Sequence, residues 1–333
     1  MRSHTLARRA VVGVLVAALW ASVGALPASA QTLQWTKLAP VPNRGNGVEG
    51  MSVARVGDRI VASYGYAGGD SRSTRIYSIS TDTWTRGANA PGPKRSEGTA
   101  VADEFFVYAI GGRAGGVLRD FDRYSPSGDK WVELQDMPTA RAGLASAIVG
   151  GSIYAIGGRK AAGGPCSQPP GGQWARVERY DIASGTWHEV APMPLARSDL
   201  GAAVVDGRIY VFGGCRVTKG HVTYLRNVNV YDPATNTWSD APADMPTARA
   251  GMYAVATLGG KVVVPGGWAG GAKPLGVVEI YSVRHNSWTT GPKMLTPRAE
   301  MGVVSKGGQV FTVGGAVPAF GASSSSMEVL GPA

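Results

Sequence analysis

Residues 207–214 read Gly-Arg-Ile-Tyr-Val-Phe-Gly-Gly, and residues 231–238 read Tyr-Asp-Pro-Ala-Thr-Asn-Thr-Trp. The first stretch is a short β-run that stops at a glycine pair. Asp206-Gly207 just ahead of it is hairpin-turn chemistry, because those positions need φ > 0. The second stretch is a strand, a tight turn and a strand. Together with the residues before Asp206, they make a unit of four short antiparallel strands, here lettered a to d.

The unit repeats along the chain. Trp35, Trp84, Trp131, Trp187, Trp238 and Trp288 follow one another at intervals of 49, 47, 56, 51 and 50 residues. A Tyr stands seven residues before five of them, at Tyr77, Tyr124, Tyr180, Tyr231 and Tyr281. Glycine pairs recur at 111–112, 157–158, 213–214, 266–267 and 314–315, and the first repeat instead reads Tyr64-Gly65. A glycine pair lets backbone or a large ring approach closely, and the recurring Tyr and Trp are rings of the size that fills space between sheets.

A double glycine, a Tyr and a Trp in fixed order at about fifty residues resembles the kelch repeat. The resemblance covers essentially all of the chain after residue 30. It implies an all-β fold, a six-bladed kelch β-propeller with four-stranded antiparallel blades. The last unit, from Arg298, supplies only strands a, b and c, ending at Leu330, whereas Leu33 to Lys37 is a strand d without a partner unit. The N-terminal strand is therefore expected to complete the last blade and close the ring, with Trp35 beside Val329 and Leu330. Closure removes exposed sheet edges.

Residues 1–30 stand outside the repeat. Arg2, Arg8 and Arg9 precede an apolar run from Ala10 to Leu26, and Ala28-Ser29-Ala30 has the small-x-small form of a cleavage site. This reads as a secretory signal peptide cleaved after Ala30, leaving residues 31–333 as one secreted, extracytoplasmic domain without a membrane span; an uncleaved anchor is the alternative. Of the 33 Lys and Arg, removal of those three leaves 30 against 23 acids, about +7. The basic residues are scattered and not grouped, so nucleic acid is not an expected partner. The only two cysteines, Cys166 and Cys215, are expected to form a disulfide in an oxidising compartment, with two unpaired thiols as the alternative. The oligomeric state is not legible.

Function is sought where the spacing is free. From the second Gly to Tyr, the b–c connections measure 12, 12, 22, 17 and 14 residues in the first five units, while the scaffold spacing stays fixed. The kelch resemblance implies that these loops and the d–a connections share one face around the channel mouth. Arg95, Arg141, Arg197, Arg249 and Arg298 recur in the d–a connections; Arg44 in the first lies about four residues out of register. Two residues beyond three of these Arg stand Glu97, Asp199 and Glu300. Tyr66, Arg113, Arg159 and Trp268 follow the glycine positions directly. These are the candidate binding residues for a carbohydrate or protein ligand, since exposed rings at a mouth suit sugar faces or aliphatic chains. The recurring Arg have a scaffold alternative, pairing with Asp122, Glu178 and Glu279 two residues before the strand-c Tyr.

No metal site and no cofactor are expected. After residue 30 there are only His188, His221 and His285, none at ligand spacing, too few for the copper site of galactose-oxidase relatives. The Glu-x-x-x-Asp-x-x-x-His iron motif of nitrile-specifier kelch proteins, phosphate loops and Gly-x-Ser-x-Gly elbows are absent from the sequence. One enzymatic reading follows from the resemblance. Bacterial sialic-acid mutarotases are exported six-bladed kelch propellers, and Glu97, Glu300 and Arg159 are the candidates for such acid/base chemistry here.

Overall fold

The computed structural model describes residues 32–43, 47–161, 163–164, 166, 172–240, 242–270, 273–318 and 322–333. The signal-peptide expectation for residues 1–30 and the Arg44 position lie outside them. Leu33–Ala333 forms one compact unit.

Six four-stranded antiparallel sheets make the blades. Blade one comprises Ser52–Val56, Arg59–Ser63, Thr74–Ser78 and Thr83–Gly87. Blade two comprises Thr99–Ala102, Val107–Ile110, Phe121–Ser125 and Lys130–Glu133. Blade three runs through Ala145–Val149, Ser152–Ile156, Val177–Asp181 and Thr186–Val190. Blade four runs through Gly201–Val205, Arg208–Phe212, Val228–Asp232 and Thr237–Ser239. Blade five has Ala256–Leu258, Lys261–Pro265, Val278–Ser282 and Ser287–Thr290. Blade six has Gly302–Lys306, Gln309–Val313 and Met327–Pro332, and its fourth strand is Leu33–Leu38. The register sets Trp35 opposite Leu330 and Thr36 opposite Val329, so the strand Leu33–Leu38 closes the ring as expected.

The repeated Tyr and Trp have one arrangement in blades one to five. Each strand-c Tyr lies directly across from its strand-d Trp, as Tyr77 from Trp84 and Tyr281 from Trp288, with ring centroids 5.2 and 5.0 Å apart. Each Trp then donates its indole N–H backward to the preceding blade: Trp84 to the Ala39 carbonyl, Trp238 to Ala191 and Trp288 to Ala243, at 2.8–2.9 Å. Trp35 donates to the Pro292 carbonyl of blade five at 2.9 Å, which joins the ring through the same contact. A buried N–H needs an acceptor, so these bonds fix the spacing of adjacent sheets while the rings fill the gap.

The glycine pairs have a backbone reason. A Cβ on Gly266 would lie 2.2 Å from the Arg298 carbonyl oxygen of the next blade, and Gly266 has φ +59°. Blade one departs from this. Tyr64 adopts φ +60° there, a costly conformation for an L-residue, and its ring packs under Arg95 at 3.9 Å while its hydroxyl donates to Asp122 at 2.8 Å.

Candidate functional site

The residue that directly follows each glycine position forms an isolated bridge with the d–a connection of its own blade. The pairs are Tyr66 with Glu49, Arg113 with Ser96, Arg159 with Ala142, Cys215 with Ser198, Trp268 with Ala250 and Ala316 with Ala299. Tyr66, Arg113, Arg159 and Trp268 therefore share one face with the d–a arginines.

Arg95, Arg141, Arg197, Arg249 and Arg298 are fully buried. Arg95 pairs with Asp122 at 2.6 Å, Arg141 with Glu178 at 2.6 Å, Arg249 with Glu279 at 2.8 Å and Arg298 with Glu328 at 3.2 Å. Arg197 meets an amide instead, donating to Asn229 Oδ1 at 2.5 Å; burial without a carboxylate partner lowers its pKa to about 10. From Arg141 onward each guanidinium also donates to the carbonyl of the first glycine of its pair, as Arg298 to Gly314 at 2.8 Å. These side chains tie the d–a connection to strands b and c of their own blade, the scaffold geometry allowed for above. Blade one lacks the device: Val48 replaces the Arg and Arg75 replaces the acid.

Inside that frame lies a closed hoop of main-chain hydrogen bonds. Glu97 N–H donates to the Gly50 carbonyl, Gly143 to Glu97, Asp199 to Gly143, Gly251 to Asp199, Glu300 to Gly251 and Gly50 to Glu300, at 2.6–3.0 Å. Each blade contributes one residue, and all six have φ between +55° and +67°. Glycine alternates with an acid around the hoop, so Glu97, Asp199 and Glu300 come from alternate blades. The alternation has a steric cause. A Cβ on Gly143 would fall 2.4 Å from Asp199 Oδ1, and one on Gly251 would fall 2.5 Å from the Trp268 ring.

Arg159 is the centre of the acidic set. Its guanidinium bridges Glu97 and Asp199, the latter at 2.5 Å, and Arg113 Nε meets the other oxygen of Glu97 at 2.7 Å. Burial opposes the Arg159 charge, but Asp199, Tyr253 and Glu300 outweigh it and hold the guanidinium above its ordinary pKa. Glu300 lacks such a pairing. Trp268 donates its indole N–H to Glu300 at 3.0 Å, yet burial, with Glu49 and Asp199 nearby, pushes the Glu300 carboxyl up to about 8. Glu49 is raised as well, by burial first, with Ser323 and Arg113 opposing. Glu97, Glu300 and Arg159 are thus assembled in one place, but all three are buried rather than lining an open mouth. Tyr66 and Trp268 are half-exposed, and Arg113 sits 5.9 Å from the Tyr66 ring.

One member of this cluster was not legible from the repeat pattern alone. Tyr253, with φ +30°, is buried next to Glu300, Asp199 and Arg159, which burial and those acids keep protonated far above its usual range. Its signal was a count. Nine residues separate Val48 from Gly57, Arg141 from Gly150, Arg197 from Asp206 and Arg298 from Gly307, whereas Arg249 and Gly259 are ten apart. The extra residue bulges out of the d–a connection and shortens strand a of blade five to Ala256–Leu258. Tyr253 also lines the central channel, a cavity of about 300 Å³ walled by strand a of every blade.

Cys166 and Cys215 are joined, with Cα atoms 5.8 Å apart. The bond ties the long blade-three loop to the start of the blade-four loop, and the Cys166 N–H donates to Asp199 at 3.1 Å. Asp199 and the two sulfurs also lie close enough together to suggest a metal set, but bonded sulfurs are not thiolates. Among the described residues, no helix is long and apolar enough to cross a membrane.

Residues 136–315, more than half of the chain, match the KLHDC2/KLHL20/DRC7 Kelch-repeats domain, and residues 107–138 match the Kelch motif. The chain is 34% identical to Kelch-like protein 36 of Mus musculus over 66% of this chain and 35% of that protein. It is 31% identical to Kelch-like protein 34 of Homo sapiens, over 59% of this chain and 30% of that one. It thus spans about a third of the length of these relatives. Among solved structures, the one titled "Structure of YjhT" superposes with a TM-score of 0.71 at 16% identity, covering 86% of this chain and 95% of that one, a likeness of fold. The repeat of Gly pair, Tyr and Trp, the six closed blades and these matches together place the chain in the kelch-repeat β-propeller family.

Proposed function

We propose that this chain is an interaction module that holds a segment of a partner protein on the face where the b–c loops and d–a connections meet. The observation that carries this is a partition of side chains. The arginines repeated in the d–a connections are enclosed and paired, whereas the half-exposed rings of Tyr66, Trp174 and Trp268 on that face do not recur from blade to blade. Arg176 lies 5.3 Å from the Trp174 ring, and Arg and Trp are residue types enriched in protein contacts. The resemblance to kelch-like proteins supports the same reading. The test is selection of peptides from a random displayed library. Tyr66→Ala and Trp268→Ala should each weaken selected peptides at least tenfold, and Phe105→Ala, in the a–b turn of blade two, should not. Peptides that ignore both ring substitutions contradict the proposal. Carbohydrate recognition by the same two rings predicts glycan-array binding with the same dependence.

A second reading, a sugar-acid mutarotase, draws on Glu300, a carboxyl kept protonated to about pH 8 close to Arg159. It requires the sugar to reach an enclosed cluster. Anomer-exchange NMR of sialic acid tests it: acceleration lost in Glu300→Gln supports it, and no acceleration refutes it. We also propose that residues 1–30 direct export and are removed after Ala30. The Cys166–Cys215 bond supports this, since such bonds persist in oxidising compartments. N-terminal sequencing of the exported protein should begin at Gln31, and a start upstream contradicts cleavage there.

A further inference from the structure

Blade four carries a feature that the repeat does not require. Its b–c loop is a two-stranded ribbon, Cys215–Thr218 with His221–Tyr224, joined by Lys219 and Gly220 at φ +50° and +79°, a two-residue turn of the tight hairpin type. The turn makes Thr218 and His221 the first hydrogen-bonded pair, so Arg216 with Thr223 is the next. The Leu225 N–H bond to the Gly214 carbonyl, 2.8 Å, continues the same alternation. The main-chain groups of Cys215, Val217, Val222 and Tyr224 must therefore point outward.

The two outer edges differ. On the first strand, Cys215 N–H donates to Ser198 at 2.9 Å and Val217 N–H to Gln173 Oε1 at 3.2 Å, so that edge is taken. On the second strand, among the described residues, nothing meets the main-chain groups of Val222 or Tyr224. His221, Val222 and Thr223 are exposed, and the Val222 side chain is a large apolar group left 45% exposed. This edge is held in place by the disulfide at Cys215, on which Tyr224 packs.

We propose that this edge is a docking strand: an extended, acidic segment of a partner protein adds to His221–Tyr224 by main-chain pairing. The mode is β-augmentation, in which the edge supplies affinity and neighbouring side chains supply choice. The choice of an acidic segment follows from charge. The ribbon, residues 215–224, carries Arg216 and Lys219 and no Asp or Glu. The inference rests on the reading of this face as a protein-binding surface and specifies how part of it works.

The substitution Val222→Pro separates edge pairing from simple charge attraction. Val222 faces Val217 at a pair without ladder bonds, so proline removes one outward N–H and leaves the ribbon bonds in place. The probe is a fluorescein-labelled decapeptide of alternating Thr and Glu, read by anisotropy at low salt, with a Thr–Lys decapeptide as control. The Thr–Glu probe should bind the wild type and Val222→Thr alike and should bind Val222→Pro at least tenfold more weakly, while the Thr–Lys probe should not bind. The Val222 and Tyr224 amides should exchange more slowly once the probe is bound. Unchanged melting and an absence of free thiols would show that the proline variant is folded with its bond intact. Equal binding to Val222→Pro, or no binding of the Thr–Glu probe, overturns the proposal. Library peptides that need Tyr66 and Trp268 but ignore Val222→Pro would leave the broader reading standing and remove this one.

Discussion

Gly143→Ala tests the hoop and its ionic centre together. Two costs combine at this position. An L-residue held at φ +59° costs about 1–2 kcal/mol. The new Cβ would also lie 2.4 Å from Asp199 Oδ1 and 2.6 Å from Arg159 Nη1. Neither group can retreat into solvent, since both are fully buried. The methyl must therefore force the pair apart, and losing a buried pair costs about 3–5 kcal/mol in full. Partial relaxation sets a lower limit for the sum of about 3 kcal/mol. Gly57→Ala is the matched control: φ is +55° but nothing lies within 4 Å of the added Cβ, so only the backbone cost of about 1–2 kcal/mol applies. Equilibrium urea unfolding of both variants, compared at constant m, measures the difference. Adding Asp199→Ala to Gly143→Ala should remove most of the steric part, giving strong non-additivity. Equal destabilisation by Gly143→Ala and Gly57→Ala would refute the packing of Asp199 and Arg159 against the hoop.

Three further outcomes follow from other parts of the molecule. Trp35→Ala should cost about 3–5 kcal/mol, as expected for a large core ring, and about as much as Trp84→Ala, because both donate backward to the preceding blade; a near-neutral Trp35→Ala would mean that the ring is not closed there. Replacing Cys166 and Cys215 together by Ser should lower stability by about 4 kcal/mol on the chain-entropy estimate for their separation of 49 residues, and equal unfolding of variant and oxidised wild type would contradict it. Glu300 governs a pH dependence. Its folded pKa of about 8 lies above its ordinary 4.5, so the unfolded chain releases this proton first as pH rises, and the stability contributed falls between about pH 4.5 and 8. Wild type should therefore lose stability over that window relative to Glu300→Gln, and parallel pH profiles would exclude the shift.

The fold was legible because its determinants are local and repeated. A glycine pair marks backbone that must approach a carbonyl of the next blade, and Tyr and Trp seven apart are cross-strand neighbours in every c–d hairpin. The missing strand d of the last unit pointed to Leu33–Leu38, and two cysteines on adjacent loops pointed to each other. The site was only partly legible. Glu97, Asp199 and Glu300 could be picked out by their place two residues after a recurring Arg, and Arg159 by its place after a glycine pair, but not that Arg159 would turn inward and be enclosed by them. That depends on Gly143 leaving room for Asp199 and Arg159 and on Gly50 leaving room for Glu97, a relation between blades that no single repeat contains. Tyr253 was concealed by one inserted residue in a connection of otherwise constant length.

The central claim, that a partner protein segment binds on the b–c and d–a face, is tested most directly by hydrogen exchange of the full chain with and without a library-selected peptide. Binding there should slow exchange in segments 64–73, 113–118, 215–225 and 268–275 and leave the a–b and c–d turns unchanged. Protection confined to those turns, or to the outer strand-d edges, would contradict it.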